Sequence, residues 1–235
     1  MKFPYNLDYS KRLVIETVGK SFAPSDLPGV ERIPLEREKP ALGVTTSVVR
    51  YEVGATFPEH THPQGEEIFV LEGEFGDEFG LYPAGTYIRN PPGSYHSPFS
   101  TIGCKLFVKR NQFQPMDSKR VVTNTNENEW LSGHGELKVM PLAEYGGEST
   151  ALVKWPGGAS FIPHTHYGGE EIFVLEGTFI DEKGEYPTGT WIRSPHLSDH
   201  DPFVKEGCTI LVKVGHLLPS ERGEGHPRER TRYPS

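Results

Sequence analysis

The sequence predicts an all-β protein built from two similar modules, and three observations carry that prediction. The chain repeats itself: "HTHPQGEEIFVLEG" from His60 returns as "HTHYGGEEIFVLEG" from His164, 104 positions later. Its apolar runs are short, β-branched and bounded by turn residues, with 26 glycines and 21 prolines among 235 residues. That composition is natural to strands joined by many turns and high for a helical protein. No segment carries a convincing helical stripe, and "SKRLVIETVG" is too short and too β-branched to count as one.

The elements follow in order. "TTSVVRYEV" and "STALVKW" are rich in β-branched and bulky apolar residues and read as strands. "EEIFVLEGEF" reads as a strand ending at Gly73, followed by an acidic turn; "TYIR", a Pro-rich turn and "KLFVKR" complete the first module. "EEIFVLEG", "TWIR" and "TILVKV" occupy the same places in the second. The offset holds without insertion from position 54 to 109, and 14 of the 18 positions from His60 to Asp77 match their partners. A duplication that keeps its turn spacing implies two like structural modules, and many short strands with Gly and Pro turns favour a sandwich or barrel. The expected division is an arm at 1–25, a module at 26–115, a connector at 116–131, a second module at 132–217 and a charged tail at 218–235.

A formal charge of -8 argues against a general nucleic-acid binder. No stretch reaches the roughly eighteen apolar residues that span a bilayer, and the first twenty residues lack a signal-peptide core. The expectation is a cytoplasmic protein with no membrane partner. Cys104 and Cys208 are the only cysteines and form no CxxC. In matching apolar runs they read as small buried hydrophobes rather than a disulfide framework or thiolate ligands.

The chemistry lies in a recurring set of side chains. His60 and His62 are i and i+2, so on a strand both leave by one face. Glu66 opens the next strand across a short turn, in phase with Ile68 and Val70, whereas Glu67 should point the other way, toward the surface or an inter-sheet partner. His96 follows a Pro-rich turn. Three imidazoles and one carboxylate make a credible set for a divalent metal of intermediate softness. His164, His166, Glu170 and His200 repeat every member, so one divalent ion per module is expected. No catalytic residue beyond these ligands stands out. Tyr95, Phe99, Trp191 and Phe203 are candidates to line an entrance, and His196 and Asp199 to bond a ligand of the second set.

These residues resemble the two motifs of the cupin superfamily. Gly54-x5-His60-x-His62-x3-Glu66-x6-Gly73 and Gly85-x5-Pro91-x-Gly93-x2-His96 match in the first half; Gly158 to Gly177 and Gly189 to His200 match in the second. The resemblance covers about 25–217 and implies a bicupin: two tandem double-stranded β-helix (jelly-roll) barrels, with the same eight residues as metal ligands. Leu197 stands where the motif has glycine, which is expected to alter the turn before His200. Within the superfamily, "GGEEIFVLEGTFIDEKGEYPTGTWIRSP" resembles the ChrR-type cupins. These include the sensory domains of zinc-binding anti-sigma factors and related dioxygenases. The His-x3-Cys-x2-Cys motif of the sigma-binding domain is absent, so direct sigma-factor binding is not expected. The resemblance implies a metal-binding module (Zn or Fe foremost, Mn or Ni otherwise) that binds or senses a small molecule or oxidant. The alternative is a metal-dependent dioxygenase or hydrolase acting on a small dicarbonyl or hydroxyketone compound. Pairing into a homodimer is compatible with either.

Overall fold

A computed structural model describes residues 5–38 and 43–218; the expected tail lies outside them beyond Leu218. Among the described residues every regular element is a strand and no helix is long and apolar enough to cross a membrane. The described residues divide into two compact units, one of residues 5–7 and those from 20 to 128, the other of residues 8–19 and 129–218.

In the first unit, the strand Glu66–Asp77 lies between Thr86–Asn90 and Cys104–Arg110. Beyond Cys104–Arg110 come Thr45–Tyr51 and then Val30–Arg37, all antiparallel. Ile68, Val70, Ile88 and Leu106 alternate onto one face and are at most 2% exposed, forming the apolar core with Phe75 and Tyr82. Each such side chain contributes about 1.5–3 kcal/mol by leaving water. The second unit repeats the plan: Glu170–Glu176 lies between Thr190–Ser194 and Cys208–Val214, followed by Glu148–Trp155 and Lys138–Tyr145. Ile172, Val174, Ile192 and Ile210 are its core.

Matching irregularities fix the register. The ladder shifts between Lys105 and Leu106 in one unit and between Val174 and Glu176 in the other, just before Gly73 and Gly177. A Cβ on either glycine would sit 2.0 Å from the carbonyl oxygen of Gly103 or Gly207, and both have positive φ. Only glycine satisfies both demands. In the first unit the strand nevertheless continues through Gly73 to Asp77; in the second it breaks into Glu170–Glu176 and Thr178–Asp181.

The edges show where the leading segment goes. Leu13–Glu16 pairs with Thr190–Ser194 and belongs to the second unit. Val121–Asn124, from the expected connector, pairs with Thr86–Asn90 and belongs to the first. Leu13 faces Arg193 as Val121 faces Arg89, and "SKR" precedes both strands, at Ser10-Lys11-Arg12 and Ser118-Lys119-Arg120. Each sequence repeat thus sends its first strand to the other repeat's sheet.

Glu67 and Glu171 do point away from the apolar interior, but the surface reading of them is corrected: both are 4% exposed. The chain after Cys104–Arg110 folds back over that face. Glu67 meets Arg89, which also pairs with Asp117 under the Phe113 ring. Glu171 accepts the indole N–H of Trp191 and pairs with His216. Alternation predicts direction only; it carries no information about what later covers the second face.

Candidate metal centres

Two short ribbons position the histidines. His60–His62 pairs antiparallel with Ser94–His96, setting His96 directly across from His60. His164–His166 pairs with Ser198–His200, setting His200 across from His164. A turn closed by the Gly65 N–H on the His62 carbonyl then delivers Glu66, and Gly169 on His166 does the same for Glu170. The structure therefore brings together His60, His62, Glu66 and His96 as one set and His164, His166, Glu170 and His200 as another. Within each, the donor atoms lie within 4.8 Å of one another.

Leu197 does not alter the turn. It adopts φ of 62° where Gly93 has 83°, and its N–H donates to His166 as that of Gly93 does to His62. A left-handed leucine costs about 1–2 kcal/mol, which the fold absorbs while keeping His200 in place.

Hydrogen bonds at the far ring nitrogens decide which nitrogen faces inward. The Nδ1–H of His60 donates to the Pro58 carbonyl at 3.0 Å and that of His164 to Ile162 at 2.9 Å, leaving the Nε2 lone pairs free. His96 Nδ1 donates to Asp77 Oδ2 at 3.3 Å; His200 Nδ1 lies 3.8 Å from Asp181 Oδ2. Each aspartate is itself held. Asp77 Oδ1 accepts from Tyr82 Oη and the Phe79 N–H; Asp181 Oδ1 accepts from Tyr186 Oη and the Lys183 N–H, and its Oδ2 from Arg12. Arg12 immediately precedes the exchanged first strand, and its counterpart Arg120 bonds Tyr82. Such carboxylate–histidine pairs fix the tautomer and raise ligand basicity.

Charge and burial suit a cation. Burial lowers the pKa of His60 to about 4 and of His62 and His166 to about 3, and lowers that of His164, so all four are neutral donors at pH 7. Burial pushes the Glu170 carboxyl up to about 7. Asp77 and Asp181 are buried as well, yet bonds from His96 and His200 and from the two tyrosines hold both below the ordinary carboxylate range. Glu66 Oε2, Glu170 Oε2 and both ring nitrogens of His62 are buried without a hydrogen bond, an arrangement that costs about 1–3 kcal/mol per group unless something else satisfies them. His164 and His166 Nε2 lie 2.9 Å apart, and His164 and His200 Nε2 3.3 Å. Donors about 2.1 Å from a shared ion are separated by about 3.0–3.4 Å at octahedral or tetrahedral angles. The residues fit a divalent metal in both units.

The other expectations fare unevenly. Trp191 is fully buried against Glu171, away from any entrance. Tyr95 and Phe203 are exposed and Phe99 is half-buried. His196 accepts from the Gly168 N–H and Asp199 reaches Lys183; neither touches a ligand of the second set. The carboxylates that do stand behind ligand histidines come from the acidic turns: Asp77 bonds His96 in the first set, and Asp181 lies 3.8 Å from His200 in the second. Their identity at the 104-residue offset within "GEFGD" and "GTFID" was the available signal. In the first unit His60, Glu66 and His96 also line a small cavity of about 40 Å³ that is partly open to solvent.

Fold and site together define the class: an all-β protein of the cupin superfamily with two ligand sets able to coordinate a divalent metal. More particularly, the chain belongs to the ChrR cupin-like family, which matches residues 10–114 and again 118–218. Both matches begin before the exchanged strands. Solved structures share the fold at low identity. A candidate dioxygenase from Nostoc punctiforme superposes with a TM-score of 0.74 at 13% identity, covering 87% of this chain and 82% of that one. A candidate glyoxylate-induced protein from Pseudomonas aeruginosa gives 0.70 at 16%, covering 86% and 87%. Oxalate decarboxylase from Lactobacillus farciminis, in complex with formate, gives 0.61 at 13%, covering 86% of each. No curated protein matches the chain.

Proposed function

We infer that the protein is a metal-dependent oxygenase of small dicarbonyl or hydroxyketone compounds, with its working site in the first unit. One observation carries the reading: three of the four first-unit ligands also line an open cavity, so a small molecule can reach the ion's remaining positions. A purely structural zinc site is closed on all sides. His60, His62, Glu66 and His96 would hold the ion, and Asp77 would keep His96 in the binding tautomer. The bound metal, iron foremost, would polarise a chelating substrate and activate dioxygen. The protein's own share is to present neutral imidazoles, balance one charge through Glu66 and seat the substrate in the cavity. In a cleavage of this class both oxygen atoms end in the two products as the carbon–carbon bond breaks. The Nostoc structure carries a dioxygenase description, which supports the reaction class without naming a substrate.

A second reading follows from the resemblance to the sensory ChrR-type cupins, since the chain belongs to the ChrR cupin-like family: a module that responds to a small molecule or oxidant. Burial pushes the Cys104 and Cys208 thiols up to about 11 and about 12, which disfavours thiol-based sensing and leaves the metal as the responsive group. Elemental analysis of protein purified without an affinity tag, paired with dioxygen uptake on β-dicarbonyl and hydroxyketone compounds, separates the two. Stoichiometric zinc with no turnover would end the oxygenase reading.

A further inference from the structure

The two units differ above their metal sets. The first-unit cavity that reaches His60, Glu66 and His96 is also lined by Arg32 and Arg110. Arg110 stands opposite Glu66 in the ladder. Its Nε lies 3.8 Å from Glu66 Oε1 and is buried without a hydrogen bond. Arg32 makes no side-chain hydrogen bond or ion pair among the described residues. Burial lowers its pKa, and the nearby Arg37 and Arg110 charges act the same way, with Asp26 opposing. A guanidinium does not give up its proton in a protein, so the cost of that crowding stays in place until an anion relieves it. Once Glu66 is committed to a divalent ion, the two guanidiniums beside it leave the cavity strongly positive.

Register shows that the second unit is built otherwise. Val139 faces Val153 as Arg32 faces Val49. Val214 faces Glu170 as Arg110 faces Glu66. Trp155 takes the place of Tyr51 beside the cysteine, and Val153 and Val212 pack on the apolar cluster. The metal-ligand sets are duplicated; the two arginines are not.

We propose that the first unit, and not the second, binds a small metal-chelating carboxylate, a 2-oxo acid or short dicarboxylate, with its charged end held by Arg32 and Arg110. This rests on the functional reading of that site and narrows it from dicarbonyl compounds at large to those carrying a carboxylate. Guanidinium donors pair with carboxylates through two parallel bonds, which a neutral diketone cannot return.

The test uses full-length protein carrying His166→Ala, so that the first unit alone holds the ion, with metal content measured by elemental analysis. Calorimetric titration with oxalate and with pyruvate should show one site per chain, and pentane-2,4-dione should bind more weakly. Arg110→Val and Arg32→Val, which copy the second unit, should each weaken oxalate binding by about 10–100-fold, the equivalent of losing a charge-assisted hydrogen bond. Metal content should not change, and the diketone should be unaffected. Equal oxalate affinity in wild type and both variants, tighter binding of the diketone, or no oxalate binding at all would overturn the proposal. So would loss of metal in Arg110→Val together with unchanged binding in Arg32→Val, which would assign Arg110 to holding Glu66. Arginine-dependent binding without dioxygen uptake would end the oxygenase reading and leave this inference standing; turnover of neutral diketones alone would do the reverse.

Discussion

Replacing Asp77 by asparagine should cost the first unit most of its metal affinity while leaving its fold nearly intact. Asp77 Oδ1 accepts from Tyr82 at 2.8 Å and from the Phe79 N–H at 2.9 Å, and Oδ2 accepts from His96 at 3.3 Å. Asparagine can keep both Oδ1 bonds, but then its amide N–H₂ occupies the place of Oδ2 and faces His96 Nδ1. Two donors cannot meet there. The imidazole is driven to the other tautomer, which puts a proton on the Nε2 that should bind the ion. Restoring the binding tautomer forfeits the amide N–H bond to Nδ1 and leaves two buried donors face to face, about 1–3 kcal/mol, so metal affinity should fall about 5–100-fold. Competition against a calibrated chelator in the His166→Ala background measures it, with denaturant unfolding as the control. Asp77→Ala imposes no tautomer and should lose less affinity while losing more stability, because the Tyr82 O–H and the Phe79 N–H lose their acceptor. Asn and wild type binding metal within about twofold, or Ala losing more affinity than Asn, would refute the tautomer argument.

Other outcomes follow from the same geometry. His62→Ala should empty the first site and leave one metal per chain; both sites emptying together would contradict two separate ligand sets. Asp181→Asn should destabilise more than Asp77→Asn, because its amide would face both Arg12 and His200; equal unfolding midpoints would count against Arg12 as a support. In metal-free protein Glu170, raised to about 7, holds a proton that the unfolded chain has released. Its contribution therefore favours the fold below the ordinary glutamate value and is lost as pH rises from there through about 7, up to about 3 kcal/mol. His164 and His166, lowered by burial, contribute in the opposite sense, with stability lost as pH falls below the ordinary histidine value. The difference between wild type and Glu170→Gln isolates the glutamate, and parallel stability–pH curves would refute it. Cys104 and Cys208 should resist a thiol reagent at pH 8 in the folded protein and react on unfolding; rapid native labelling would reopen thiol-based sensing.

Much of this was legible because a repeat reports the same fact twice. The i, i+2 histidines and the in-phase glutamate select six of the eight donors from strand parity, His96 and His200 recur at the same 104-residue offset, and the short Gly- and Pro-bounded runs give the strands. What escaped depends on distant chain segments. Glu67 and Glu171 are buried because residues after each last strand fold back over them, which alternation along one strand does not encode. Asp77 and Asp181 are recognisable only once a hairpin places them behind a histidine. Arg32 and Arg110 have valines, Val139 and Val214, at the matching places of the second repeat, so the repeat pattern does not mark them.

The exchanged first strands also bear on how the chain is made. Asp8 receives its bond from Arg193, 185 residues later, and Arg12 must await Asp181. The earliest strand to be synthesised is thus among the last to be seated, whereas Val121–Asn124 joins an edge already made. Contacts of such long sequence separation form slowly. Until they form, the Thr190–Ser194 edge lies open, and an open edge invites a strand from another chain. Cutting the protein between its repeats, near residue 117, would strand Leu13–Glu16 and Val121–Asn124 with the wrong halves. Two separately expressed repeats should be stable only when mixed, each closing the other's sheet.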